Sequence, residues 1–149
     1  STKTRLMQYF KLILTVSCAA LTISLSAQNS PLGFWKTVDD NTGETRSEME
    51  LYVNAEGEIE GKIHKLLDTD SPETCDLCPG DKKDAKLVGM VIMWGLEEDG
   101  DQWDGGRIMD PENGKTYKCY IELESEEKLK VRGYIGISAL GRTQYWYRK

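Results

Sequence analysis

Between residues 33 and 148 apolar side chains return at every second position, separated by short clusters of Gly, Asn, Asp and Pro. No long stretch repeats at the helical spacing of three and four. Successive side chains of a strand point to opposite faces, so this alternation predicts strands with one dry face. Eight are expected, at 33–38, 45–53, 58–67, 87–96, 102–109, 116–124, 128–138 and 143–148. The breaks have their own chemistry. In Asp110-Pro111-Glu112-Asn113-Gly114 the proline presets φ and Asn-Gly tolerates positive φ, and Asn54-Ala55-Glu56-Gly57 is another tight turn. Only 68–86 is long and irregular.

Consecutive strands with short links predict an all-β domain, a single eight-stranded antiparallel up-and-down β-barrel. Closure removes the strand edges that would otherwise aggregate. The inward faces are expected to be Met49, Leu51 and Val53, then Ile59, Gly61 and Ile63, and later Leu129, Val131, Gly133 and Ile135. Charged residues such as Glu48, Lys62, Lys130 and Arg132 alternate with them and belong outside. The fourth strand is apolar on both faces, so the 68–86 loop is expected to cover it.

The N-terminal segment changes the domain count. Residues 1–27 carry Lys3, Arg5 and Lys11, no acid, an apolar run from 12 to 25 and then Ser24-Leu25-Ser26-Ala27-Gln28. That order is a secretory signal peptide, too short in its apolar part for a membrane span of about 20 residues. The expectation is a signal peptide at 1–27, a barrel domain at 28–149, a periplasmic or secreted location and no stable membrane anchor. The three cations are among 19 basic groups, so without them the 25 acids outnumber the bases by nine. So acidic a body repels phosphates and anionic lipid, which excludes nucleic acid as a partner.

Export leaves Cys75, Cys78 and Cys119. A bridge between Cys75 and Cys78 is expected in an oxidising compartment. The alternatives are a redox pair and zinc. Pro79-Gly80 forbids the helix that a redox pair uses, and zinc lacks its four ligands. Cys119 alternates with apolar neighbours and is expected in the core.

Catalytic chemistry is poorly supplied. His64 is the only histidine and sits among surface charges, so no nucleophile and base pair is expected, and Asp68-Thr69-Asp70 lacks the offsets of a calcium loop. The reading is a protein without catalytic residues, metal or cofactor, and not an enzyme. What remains is the interior. A small barrel either fills with side chains or keeps one modest cavity, for which aromatic rings and a few placed polar groups are the usual lining. The candidates are Trp94, Trp103, Arg132, Tyr134, Arg142 and Trp146. A cation and a phenol two residues apart, in Arg132-Gly133-Tyr134, suggest a carboxylate site, although alternation puts both on the outer face.

Gly33-Phe34-Trp35 resembles the Gly-x-Trp pattern of lipocalins, in which the Trp closes one end of the barrel under a C-terminal Arg, here Arg142 or Arg148. The longer pattern includes Gly61-Lys62-Ile63, Cys75-x-x-Cys78, Trp103-x-Gly105-Gly106, Leu129-Lys130-Val131-Arg132-Gly133-Tyr134 and Gly141-Arg142-Thr143-Gln144-x-Trp146-x-Arg148. It closely resembles the bacterial family called domain of unknown function 2147. That resemblance implies a lipocalin-like barrel and an exported protein, with Gly33, Trp35 and Arg148 structural, and assigns no catalytic residue. Two functions follow as expectations. One is binding of a small apolar or amphipathic ligand in the interior; the other is a filled barrel acting on a protein partner, or in envelope stress, through its surface or the 68–86 loop.

Overall fold

The computed structural model describes residues 29–149, so the expected signal peptide lies outside the described residues. Eight antiparallel strands close into an up-and-down barrel in chain order: β1 (Gly33–Val38), β2 (Thr45–Val53), β3 (Ile59–Leu66), β4 (Val91–Asp99), β5 (Gln102–Asp110), β6 (Lys115–Ser125), β7 (Lys128–Tyr134) and β8 (Gly141–Arg148). β1 meets β8 through Trp35 opposite Arg148 and Thr37 opposite Trp146, which seals the cylinder.

The inward alternation holds for Met49, Leu51, Ile59, Ile63, Leu129 and Val131, all buried with Ile121, Met93, Leu96 and Cys119 in one core. Burial of side chains of this size contributes roughly 1.5–3 kcal/mol each. Burial also pushes the Cys119 thiol up to about 12, with Asp104 adding to the rise, so it stays protonated and inert. Two inward expectations fail. Val53 ends β2 half-exposed, and Ile135 is exposed because β7 stops at Tyr134.

The strand ends expected at Leu87 and Ser138 fail for a common reason. Gly89 and Gly136 adopt φ of +89° and +74°, which bends the chain out of the sheet although its neighbours are apolar. Residues 87–90 form a turn instead, with Met90 N–H donating to the Leu87 carbonyl and Gly89 N–H to that of Ile63. Leu87 and Met90 are still buried, so the apolar pattern there records packing and not strand.

The two ends of the barrel differ. At one, short turns at 54–58, 100–101 and 126–127 join the strands; at the other lie the longer loops 39–44, 67–90, 111–114 and 135–140. The 67–90 loop carries a single 3₁₀ turn, Gly80–Lys82, and the bridge between Cys75 and Cys78, whose Cα atoms are 5.4 Å apart. Both cysteines are buried against β5 and its turn, Cys78 Sγ lying 3.4 Å from Met109 Sδ. As expected, this loop covers β4, with Lys82 Nζ 5.6 Å above the Trp94 ring.

Candidate functional site

The short-turn end is closed by its own side chains. Trp35 is wholly buried and its Nε1 donates to the Pro31 carbonyl at 2.8 Å. The Arg148 guanidinium stacks 4.1 Å from the Trp35 ring centroid. It also donates to the carbonyls of Glu126, Leu32 and Ser30 at 2.8, 2.8 and 3.0 Å. Those four contacts pull the segment before β1 across the barrel floor, a cation over an aromatic face with its remaining donors satisfied. Of the two arginines expected to cover Trp35, Arg148 is the one that does. Gly33, at φ +113°, starts β1 directly beside the Arg148 guanidinium.

At the long-loop end the barrel is hollow. A cavity of about 800 Å³ opens between the loops, with Met49, Ile63, Ile92, Ile108, Val131 and Trp146 among its lining residues. The inner face of β8 supplies a series from rim to floor: Arg142, Gln144 and Trp146 line the cavity, and Arg148 follows beneath it. Thr37 and Ser47, their hydroxyls 2.8 Å apart, add a polar spot to the same wall. Below the cavity the barrel is filled by its own side chains, Met93, Leu96, Cys119, Ile121 and Leu129 among them.

Inward glycines explain where the space is. A Cβ on Gly61 would collide with Leu51 and one on Gly106 with Leu96, so those positions are already filled by neighbours. On Gly133 a Cβ would meet Ile108 Cγ2 at 3.6 Å and Tyr117 Cβ at 3.8 Å, ordinary contact. Its missing side chain is left as cavity.

Of the residues singled out in the sequence, Tyr134, Arg142 and Trp146 line the cavity, whereas Trp94, Trp103 and Arg132 do not. Trp94 lies under Lys82, and Trp103 pairs with Ile121 near the closed end. Arg132 is outside, as simple alternation requires, and donates to the carbonyls of Ser138 and Ala139 and to Thr143 Oγ1. It holds the β7–β8 loop in place. Tyr134 stands at the rim with its ring 6.4 Å from Tyr120, and burial, then Asp104, raise its phenol above the usual value. Thr37 and Ser47 are lining residues the sequence does not single out, whereas Gln144 turns inward by the same alternation as Trp146, and Gly133 by that of Val131.

The rim carries the charge. Arg46 bonds Glu112 at 2.7 Å, Asp68 at 3.2 Å and Asp39 at 3.3 Å, tying three loops together. The N–H groups of Thr42 and Asn41 hold the Asp39 carboxyl below its usual range. Arg142 is held by Asp40, its Nε 2.8 Å from Oδ2, and this contact raises the guanidinium's pKa further. Among the described residues, His, Cys, Asp and Glu gather no group of three that could hold a metal ion. His64 is exposed and packs edge-on against Phe34 at 4.8 Å.

Closed floor, Trp under Arg, and a cavity open at the loop end define a lipocalin-like barrel. Protein HP1028 of Helicobacter pylori, described as belonging to the lipocalin family, has a similar fold, with a TM-score of 0.70 at 19% identity over 80% of this chain and 83% of its own. A redesigned β-barrel is similar at a TM-score of 0.44 and 17% identity, over 79% of this chain and 90% of its own. The chain belongs to the family described as uncharacterized protein conserved in bacteria (DUF2147), which matches residues 33–148. No curated protein matches the sequence.

Proposed function

We propose that the protein is an exported carrier or receptor that holds one small apolar or amphipathic molecule in its open-ended cavity, without turning it over chemically. The cavity itself carries this reading. Its volume of about 800 Å³ falls in the range of roughly 300–1,000 Å³ typical of small-molecule sites. Its deeper walls are apolar and its rim is polar and charged, which suits a ligand with both characters. The lipocalin-like fold is in keeping with it. Export rests on the cationic, apolar and small-residue order of 1–27 and on the cysteine bridge, which an oxidising compartment maintains.

Titration with decanol, followed by tryptophan emission, tests the reading because Trp146 forms part of the wall. Gly133→Leu is the control, since a side chain there grows into the cavity without striking its neighbours at Cβ. The expected result is a saturable change in the parent protein and binding weaker by at least about fivefold in the variant, as an excess volume worth about 1–3 kcal/mol implies. Equal titrations of the two proteins, or none in either, would contradict it.

A further inference from the structure

We infer that the cavity selects uncharged or cationic amphiphiles and turns away carboxylates, because its rim is negative and both of its arginines are already engaged. This rests on the ligand-binding reading above and names the class of ligand. Asp39, Asp76, Asp110 and Glu112 line the cavity with a charge, against Arg46 and Arg142. Four carboxylates and two guanidiniums leave an excess of two negative charges at the mouth.

A ligand carboxylate would need a free cation, and the two on the wall are occupied. Arg46 is held by Glu112, Asp68 and Asp39, and Arg142 by Asp40. Arg142 is thus paired with an acid outside the cavity, and Arg46 is shared between two acids of the rim and Asp68 outside it. Among the described residues no lysine lines the wall. In the loop over the mouth Lys83 Nζ is bonded to Asp84 and to the Asp76 carbonyl, and Lys82 faces Trp94. An incoming anion would therefore displace an internal carboxylate or sit unpaired beside like charge; a cation meets Asp76 and Asp110 directly. The apolar part of the ligand has a continuous path inward, since Leu77, Ile135 and Leu140 are exposed at the mouth and line the same cavity as Ile92 and Val131.

Two unpaired charges at a solvated mouth are enough for a tenfold or greater difference between opposite ligand charges, and ionic strength screens it. The experiment compares decanol, decyltrimethylammonium and decanoate, each below its micelle concentration, by tryptophan emission at low and at high salt. Decyltrimethylammonium and decanol should each bind at least about tenfold more tightly than decanoate, and the gap between the two ions should narrow with salt. Asp40→Asn, which releases Arg142, should improve decanoate binding several-fold and leave decanol unchanged. Decanoate binding as tightly as the other two would overturn the charge selection while keeping the ligand-binding reading. Saturable binding of none of the three would overturn both.

Discussion

Trp35 and Trp146 sit one alternation apart on the inner face of the barrel, Trp35 opposite Arg148 and Trp146 opposite Thr37. Both are exposed by no more than 2%. Trp35 has everything it needs: its N–H is bonded to Pro31, its ring is covered by Arg148, and the arginine's other donors reach backbone carbonyls. Trp146 packs as tightly but its Nε1 has no hydrogen-bond partner among the described residues, and it stands at the lower edge of the cavity. One end of the molecule is finished by its own chain and the other is not.

That contrast can be broken by substitution. Trp35→Ala should be the most damaging, lowering stability by about 3–5 kcal/mol, as deletion of a large buried ring does. A chemical denaturation curve gives the number, and a loss under 1 kcal/mol would remove Trp35 as the keystone of the floor. A milder pair isolates the N–H groups. Trp35→Phe forfeits a buried hydrogen bond in addition to ring volume, whereas Trp146→Phe forfeits no bond, so Trp35→Phe should be the costlier by about 1 kcal/mol.

The bridge at the mouth comes next. Its loop closes over so few residues that Cys75→Ser with Cys78→Ser should lower stability by only about 1–3 kcal/mol and leave the barrel folded by circular dichroism. The binding of decanol should suffer more than the fold, because Leu77 lies between the two cysteines and lines the cavity. An unfolded double variant would mean that the open end supports the barrel as the closed end does.

The smallest effect is acid. The Glu48 carboxyl, buried beneath Lys149 at 2.9 Å, is held below its usual value first by that hydrogen bond, as Asp39 is by the N–H groups of Thr42 and Asn41. Carboxyls with a lowered folded pKa contribute fully above the ordinary carboxylate range, near 4 to 4.5, and lose that contribution as pH falls through the lowered values. Thermal unfolding should therefore be level at neutral pH and decline below about pH 4. Lys149→Met should flatten the decline, and an unchanged slope would contradict the Glu48 part of it.

Most of the barrel was legible because a closed sheet with one dry face writes its period into the chain. Leu129, Val131 and Gly133 alternate with Lys130 and Arg132, and the structure keeps that order. Period two could not tell a strand from an apolar loop at 87–90 or 135–138, where a single glycine with positive φ turns the chain aside. The cavity was less legible still. Gly61, Gly106 and Gly133 look alike in sequence, yet two are filled by a leucine from a neighbouring strand and one is left open. Only the three-dimensional register, bulges included, decides which. Arg132 shows the same limit from the other side: its charge suggested a ligand, and its position makes it a brace for the β7–β8 loop.

The central claim, that the open end holds a small molecule, is tested most directly by native mass spectrometry. The protein would be isolated from its own bacterial host without detergent or organic extraction. The account predicts a discrete one-to-one adduct on the folded protein that is released on denaturation and is diminished in Gly133→Leu. A bare polypeptide mass under gentle conditions, with no adduct taken up from decanol or decyltrimethylammonium, would contradict it.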